Sequence, residues 1–296
     1  MHDAVSTFVS DGDTIVIEGF THLICFAAGH EIIRQKKRDL TACRLTPDLI
    51  YDQLIAAGCV KKVVFSWAGN PGVGPLYGLR RAVEQGIPRE IAIEEYTHFG
   101  MVARFVAGAS KMTFMHLDTF SGSTLSEMNP NIRKVKCPFS GREYAAVPAL
   151  NPEVAVIQVQ RVDAEGNAQI WGLMGVQREA AFASKKVIIV AEELVESAVI
   201  RSDPNRTIIP GMKVDAVVIE PLAAHPSYAQ GYYDRDNRFY VDWHKISKDR
   251  NTMEWYIDEW IYGVSDRSEY RDKLGPEILE KLKAGQKLAP PVNYGY

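Results

Sequence analysis

The sequence predicts an α/β fold, an open and mainly parallel sheet with helices on both faces, followed by a C-terminal helical and aromatic tail. Short runs of β-branched and apolar residues recur along the chain, and such runs are typical of strands buried on both faces. Glycine-rich loops and segments with helical spacing follow these runs. That order of strand, loop and helix is typical of a parallel sheet. At 296 residues the chain can bury a sizeable core.

Composition and charge narrow the class of protein. The chain is 46% hydrophobic and 24% charged, which is ordinary for a globular protein. A formal net charge of −3 gives no reason to expect a nucleic-acid or membrane partner. No apolar run approaches the roughly 20 residues that cross a bilayer, and we expect no signal peptide. The four cysteines are widely spaced, so we expect reduced thiols and a cytoplasmic protein.

The first strand ends in the best candidate for a ligand site. A short amphipathic helix is predicted around residues 5–9, and a polar turn at 11–13 leads into a β-branched run at 14–17. Ligands of open α/β sheets bind where strands end, and glycine lets a ligand approach the backbone closely. We therefore predict that the residues directly after this strand, Gly19, Phe20 and Thr21, bind the substrate.

The remaining elements follow in chain order. The helix near residue 50 is well marked, because Thr46 suits its N-cap, Pro47 its first position and Gly58 its end. A hairpin is predicted where the turn at 163–167 separates two apolar runs. Helices are predicted over residues 27–37, 47–57, 76–85, 101–109 and 177–184, and strands over residues 61–67, 91–96, 112–117, 154–159, 168–171, 187–191 and 214–219.

Two loops are further candidates for substrate binding. Residues 68–75 follow a strand and are rich in glycine and proline. Residues 118–135 form a long irregular stretch, and the hydroxyl and amide groups at 121–124 suit a carboxylate. We predict substrate contacts from Ser66, Asn70 and Gly72 at the first loop and from Gly122 and Ser123 in the second.

The C-terminal part of the chain differs in composition from the rest. Nine of the thirteen tyrosines and three of the five tryptophans follow position 227, and a helix is predicted near 252–262. We therefore divide the chain into an α/β domain over residues 1–245 and a helical extension over residues 246–296. The extension is expected to pack on the core or on a partner protein.

The chain resembles the A (α) subunit of the family I coenzyme A transferases, most closely the glutaconate CoA-transferase α type. The family opens with an Asp/Asn-Gly turn, a hydrophobic strand and Gly-Gly-Phe, and residues 11–12, 15–17 and 19–20 follow that pattern. The resemblance covers nearly the full length. Further matches lie in the same order as in the family, at Asp163, Gly166, 170–172, 209–212, 214–218, 224–227, Tyr270 and 273–275.

The resemblance implies a CoA-transferase and sugar-phosphate-isomerase-like sheet and a transfer of CoA between an acyl-CoA and a carboxylic or dicarboxylic acid. In the family a glutamate of the B (β) subunit carries CoA as a thioester, and glycine-turn amides stabilise the oxyanions. This chain has no match to the Glu-Asn-Gly-type motif around that glutamate. The resemblance thus implies a B-subunit partner in an α2β2 or larger complex. CoA enters as substrate, with no cofactor and no metal.

Two departures from the family pattern bear on the active site. Glu18 stands where the family has glycine, and Phe99 stands where members that use acetate or oxoacids have a hydrogen-bonding glutamine. Either the Gly100 backbone amide or His98 supplies the hydrogen-bond donor in place of that glutamine, or the acyl pocket is more apolar. Neighbouring strand residues point to opposite faces, so at most one of Glu94 and Glu95 faces the pocket. Our candidate catalytic residues are Glu18, Glu95 and His98, and Phe99 and Gly100 are candidates for substrate binding.

Other functions remain open from the sequence. Relatives with this fold have lost transferase activity, so an acyl-CoA hydrolase, a C–C hydrolase or a decarboxylase is an alternative. A non-catalytic binding subunit is a second alternative. No P-loop, dinucleotide fingerprint or metal-ligand spacing is present in the sequence. The sequence leaves the acyl group, the acceptor acid and the stoichiometry undetermined.

Overall fold

The computed structural model describes residues 1–120 and 122–284. Its strands are β1 (Thr14–Glu18), β2 (Leu40–Cys43), β3 (Val60–Phe65), β4 (Ala92–Glu95), β5 (Phe114–Leu117), β6 (Arg133–Lys136), β7 (Glu143–Pro148), β8 (Val154–Val162), β9 (Ala168–Gln169), β10 (Lys186–Leu194), β11 (Thr207–Ile209) and β12 (Ala216–Ile219). Its helices are α1 (His2–Phe8), α2 (Phe26–Arg34), α3 (Leu49–Ala56), α4 (Tyr77–Gln85), α5 (His98–Ala109), α6 (Leu125–Met128), α7 (Gln177–Ala183), α8 (Ser197–Ser202), α9 (Asn237–Lys248), α10 (Arg250–Ile257), α11 (Arg267–Leu274) and α12 (Pro276–Leu282).

A nine-stranded sheet forms the centre of the molecule. Its parallel part runs in the order β12-β10-β8-β1-β2-β3-β4. Strand β9 pairs antiparallel with the last residues of β8, and β11 pairs antiparallel with β9. The predicted α/β fold with a mainly parallel sheet is therefore confirmed, as is the hairpin between β8 and β9.

Helices cover both faces of this sheet. Along β1, Ile15 and Ile17 point into the hydrophobic cluster beneath α1 to α4, α9 and α10, whereas Val16 points into the opposite cluster beneath α5 and α7. Side chains alternate along a strand, so a continuous apolar run is what a strand covered on both faces requires. The four cysteines are unpaired, and three of them are buried.

Several predicted elements need correction. Strand β2 was not predicted, because it has only four residues and follows the charged segment 36–39. Helix α3 begins at Leu49, and its N-cap is Asp48, whose carboxylate accepts a hydrogen bond from the Ile50 amide. Thr46 is therefore not the cap.

The region after α5 also differs from the prediction. Strand β5 does not join the parallel sheet but pairs antiparallel with β7, which pairs with β6 in a separate three-stranded sheet. The stretch 118–135 contains α6 and the start of β6 and is less irregular than predicted. Residue 121 lies outside the described residues.

The C-terminal helices belong to the core of this chain. Tyr240, Trp243 and Tyr256 are buried in the same cluster as α2 and α3. Helix α9 runs through position 245, so the predicted boundary does not coincide with a break between helices. Part of the predicted extension, residues 285–296, lies outside the described residues. Across residues 1–120 and 122–284, no helix has both the length and the apolar character that spanning a membrane requires.

Candidate active site

The carboxyl ends of β1 to β4 lie along one edge of the sheet, because these strands are parallel. The residues that follow each strand therefore come close together. The Arg44 guanidinium, after β2, donates a hydrogen bond to the Gly19 carbonyl, after β1. Ser66, after β3, lies 2.9 Å from Nδ1 of His98, after β4. The structure thus brings together residues that are far apart in the chain, and four of the predicted site residues, Gly19, Phe20, Ser66 and His98, are among them.

The turn after β1 is tightly closed and needs a glycine. A Cβ atom on Gly19 would lie 2.6 Å from the Leu23 carbonyl oxygen, closer than real Cβ contacts occur. Thr21 and Leu23 both have positive φ, at 56° and 54°. The Ser227 hydroxyl donates to the Thr21 carbonyl at 2.8 Å, which fixes the turn from a distant segment. The backbone of this turn is therefore held rigidly at the edge of the sheet.

Glu18, the last residue of β1, is buried beneath this turn with 1% of its surface exposed. Neither carboxylate oxygen has a well-formed hydrogen bond to another described residue. Burial raises the pKa of Glu18 to about 7, although the nearby Arg44 guanidinium lowers it. The carboxyl group thus titrates far closer to neutral pH than an ordinary glutamate does, and it does not face solvent in this structure.

Arg44 was not predicted as a site residue. Its guanidinium donates to Asp48 Oδ1 at 3.1 Å and to the Gly19 carbonyl, and both charged side chains are buried. The Asp48 carboxylate in turn caps α3. Arg44 therefore joins the turn after β1 to the start of a helix. The signal in the sequence was an arginine at the end of an apolar run with an aspartate four residues later.

A second element that was missed is the loop at residues 172–176, which covers the turn after β1. A Cβ atom on Gly172 would lie 2.1 Å from Oε1 of Gln230. His22 donates from Nδ1 to the Leu173 carbonyl at 2.8 Å and accepts from the Gln230 amide at Nε2 at 3.0 Å. Burial lowers the pKa of His22, which keeps the imidazole neutral for these two bonds. His22 is thus a structural link, and Leu173 carries an exposed side chain at this edge.

Glu94 and Glu95 have opposite environments, as the alternation of strand side chains requires. Glu94 is buried and accepts hydrogen bonds from Arg104 at 2.9 Å, from the Tyr96 hydroxyl at 2.6 Å and from Lys62. Glu95 is exposed, and its carboxylate has no hydrogen bond to the other described residues. Glu94 is therefore structural, while the catalytic role assigned to Glu95 stays a prediction.

The start of α5 holds Phe99 and Gly100. Phe99 is 53% exposed. The Gly100 amide donates to Oγ1 of the N-cap residue Thr97 at 3.0 Å. A Cβ atom on Gly100 would lie 2.8 Å from Cζ of Phe120. In this structure the Gly100 amide is therefore used by the helix cap, and the glycine admits Phe120.

The two predicted binding loops differ in accessibility. Asn70 is buried, and its Nδ2 donates to the Tyr240 carbonyl at 2.7 Å, whereas Gly72 is exposed with a φ of 77°. Gly122 is exposed with a φ of 73°, and Ser123 Oγ accepts from the Leu125 amide at 3.2 Å. Substrate contacts at these residues stay predictions. Among the described residues, no cluster of three or more His, Cys, Asp or Glu could hold a metal ion.

Comparison with known proteins gives consistent results over almost the whole chain. The coenzyme A transferase family profile matches residues 1–220. The chain is 50% identical over 274 residues to the A subunit of 3-oxoadipate CoA-transferase from Pseudomonas knackmussii, covering 93% of this chain and 96% of the relative. It is 33% identical over 301 residues to the A subunit of glutaconate CoA-transferase from Acidaminococcus fermentans, covering 96% and 93%. The crystal structure of glutaconate CoA-transferase from that organism superposes with a TM-score of 0.92 at 32% identity, covering 97% of this chain and 95% of that one.

Proposed function

The chain belongs to the coenzyme A transferase family as its A (α) type of subunit, and from this premise we propose that it transfers CoA between an acyl-CoA and a dicarboxylic acid, together with a B subunit. The observation that carries the proposal is the full-length similarity to two A-type chains whose named substrates are 3-oxoadipate and glutaconate. Both of these acids have two carboxyl groups. The names of these relatives also support a partner B subunit.

The proposed reaction takes place on a glutamate of the partner subunit. Its carboxylate attacks the acyl-CoA thioester, which forms a mixed anhydride and releases the CoA thiolate. The thiolate then attacks the glutamyl carbonyl, which releases the first carboxylic acid and leaves CoA bound to the glutamate as a thioester. The acceptor carboxylate reverses both steps. The difficult exchange is thus divided into several easier steps, each of which passes the acyl group or CoA to one partner while the previous partner leaves.

This chain would shape the acyl site against that glutamate. The turn over residues 19–23 presents backbone at the edge of the sheet, and Arg44 and Ser227 hold its carbonyls in place. Preorganised amides in such a turn stabilise the oxyanions of acyl transfer. Glu18 lies beneath the turn without access to solvent, so we propose that it acts by positioning the turn. Glu95 and His98 are exposed at the same edge and remain candidates for contact with the substrate.

We further propose an α2β2 or larger complex in the cytoplasm, with CoA as substrate and no additional cofactor. CoA thioesters are formed and used inside cells, which supports the compartment. Light scattering of the co-expressed subunits tests the stoichiometry, and cell fractionation tests the location. A hydrolase, a decarboxylase or a non-catalytic subunit is not favoured, because the relatives at 50% and 33% identity are named as transferases.

A product assay of the two-subunit complex tests the function. Acyl-CoA thioesters are incubated with four- to six-carbon dicarboxylic acids in oxygen-18 water, and the products are identified by mass spectrometry. The proposal predicts a new thioester of the acceptor acid, with no label from water in the released acid. Free CoA together with labelled acid would show that the complex is a hydrolase. A decarboxylated thioester would show that it is a decarboxylase. Either chain without its partner is the control and should show no transfer.

A further inference from the structure

The tautomer of His98 is fixed by its neighbours. The Ser66 hydroxyl lies 2.7 Å from the Leu45 carbonyl oxygen, which can only accept, so the hydroxyl donates its one hydrogen there. Ser66 Oγ also lies 2.9 Å from Nδ1 of His98. Having no hydrogen left, Oγ accepts, and Nδ1 must carry the hydrogen. Nε2 is therefore the nitrogen of His98 that is available to a ligand.

His98 lies over the edge of the sheet where the acyl site is proposed. It is the first residue of α5, after β4, yet it is bonded to Ser66 after β3, and its ring meets the Phe20 ring after β1 edge-on at 6.0 Å. The side chain therefore spans the carboxyl ends of three strands. It is exposed, so Nε2 is accessible from the proposed acyl site.

The surroundings of His98 are largely apolar. Trp67, which follows Ser66 in the chain, is 45% exposed, and Phe99, which follows His98, is 53% exposed. Two buried arginines behind this edge are already engaged, since Arg44 is bonded to Asp48 and Arg104 is bonded to Glu94. A carboxylate that enters here meets apolar rings and one imidazole with a free nitrogen, with the exposed Glu95 carboxylate at the same edge. An imidazolium donates from both nitrogens, so Nδ1 keeps its bond to Ser66 while Nε2 binds the carboxylate.

We propose that His98, oriented by Ser66, binds the carboxylate of the dicarboxylic acid that does not react, and thereby selects dicarboxylic over monocarboxylic acids. This inference rests on the proposed function. The carboxylate that exchanges CoA must reach the glutamate of the partner subunit, whereas the second carboxylate stays in the pocket of this chain. A monocarboxylic acid of equal length has a methyl group at that end and gains nothing from His98.

The test compares two acceptors on the two-subunit complex. They are the best dicarboxylic acid from the product assay and the monocarboxylic acid of the same length and oxidation pattern, such as 3-oxoadipate and 3-oxohexanoate. His98→Gln should lower kcat/KM for the dicarboxylic acid by about 10- to 100-fold, mainly through KM, because one charged hydrogen bond is lost. It should leave kcat/KM for the monocarboxylic acid within about twofold. Ser66→Ala should lower the ratio of kcat/KM for the dicarboxylic acid to kcat/KM for the monocarboxylic acid by a smaller factor.

Two further variants separate the role of His98 from structural damage. His98→Lys keeps a cation and should retain part of the preference for the dicarboxylic acid. His116→Gln makes the same substitution at an exposed histidine of the three-stranded sheet. It should leave kcat/KM unchanged for both acids. Equal losses for both acids in His98→Gln, or no loss, would overturn the inference while the transferase function stands. A wild-type complex that transfers CoA to neither acid would overturn both.

Discussion

Gly175 lies directly against the buried carboxyl group of Glu18. A Cβ atom on residue 175 would be 2.7 Å from Oε1 of Glu18 and 3.1 Å from Cβ of Phe20. The loop at residues 172–176 can therefore cover the end of β1 only because residue 175 has no side chain. Glu18 is closed off from solvent by this contact and by the turn above it.

Gly175→Ala should reduce activity more than stability. The added methyl group must push the loop away from Glu18, and the bond from His22 to Leu173 transmits that shift to the turn after β1. Displacement of about 1 Å in an active site costs on the order of 100-fold in rate, so we expect kcat/KM of the complex to fall at least tenfold. Steady-state kinetics and thermal unfolding of the same preparation measure both effects.

The matched control for this variant is Gly12→Ala. Gly12 lies in the turn before β1 with a φ of 87° and open space around its Cα. This substitution should cost about 1 kcal/mol of stability from backbone strain and leave kcat/KM unchanged. The role assigned to the loop is refuted if Gly175→Ala keeps kcat/KM within twofold of the parent.

Glu18→Gln should make the chain more stable at pH 8 than the parent. Burial raises the pKa of Glu18 from 4.5 to about 7, so between these values the unfolded chain has lost a proton that the folded chain still holds. Unfolding then becomes more favourable as pH rises through this window, at a cost of at most about 3 kcal/mol. Glutamine cannot ionise and avoids this cost. Urea unfolding should show that Glu18→Gln has a higher free energy of unfolding than the parent at pH 8, and that this difference is smaller at pH 5.

Glu95→Gln is the control, because it makes the same change at an exposed carboxylate at the end of β4. It should alter stability little at either pH. The buried Glu192, whose pKa is raised by burial to about 7, titrates over the same window but is present in all three proteins and cancels in the comparison. A Glu18→Gln gain that is equal at both pH values would argue against the raised pKa.

The strands and the turn at Gly19 could be predicted from the sequence because their signals are local. A run of β-branched residues marks β1, and Gly19 is needed by contacts within four residues of itself. Strand β2 gave no such signal, and so Arg44 at its end was missed. The N-cap of α3 was misplaced for a related reason. Its actual N-cap, Asp48, forms a buried ion pair with Arg44, and that pair depends on the strand that was missed.

Long-range contacts account for most of what the sequence did not predict at the site. Asn70 looked like a loop residue free to bind a substrate, yet its partner, the Tyr240 carbonyl, is 170 positions away. The loop at 172–176 has two glycines, and each is required by a contact with a residue distant in the sequence, Glu18 for one and Gln230 for the other. By contrast, His98 could be proposed from the sequence because it comes just after the predicted strand 91–96, and the fold places ligands at the ends of such strands.

Asn70→Ala should lower stability and leave substrate binding unchanged. The substitution removes the donor to the Tyr240 carbonyl, which is buried, and an unpaired buried acceptor costs about 1–3 kcal/mol. Asn70→Asp should cost more, because a carboxylate oxygen would then face the carbonyl oxygen. Denaturant unfolding measures the stabilities, and KM for both substrates of the complex measures binding. A KM that rises several-fold without loss of stability would instead support Asn70 as a substrate contact.

Trp243→Ala should strongly destabilise the α/β core, although Trp243 belongs to the C-terminal helices. The indole is fully buried, and its Nε1 donates to Asp52 of α3 at 3.2 Å. Burial raises the pKa of Asp52 to about 6, so loss of this donor also leaves a buried carboxyl group with fewer partners. Removing a buried tryptophan costs about 3–5 kcal/mol. Denaturant unfolding followed by far-ultraviolet circular dichroism should show the whole sheet unfolding earlier in one transition.

Trp255→Ala supplies the comparison, because Trp255 lies on the adjacent helix α10 but is 55% exposed. Its loss should change stability by less than about 1 kcal/mol. If Trp243→Ala instead gave two transitions, with the sheet unfolding at the denaturant concentration of the parent, the C-terminal helices would form a separate unit. A single, earlier transition would mean that these helices are part of the core, because Tyr240, Trp243 and Tyr256 are buried in the cluster on one face of this chain's own sheet.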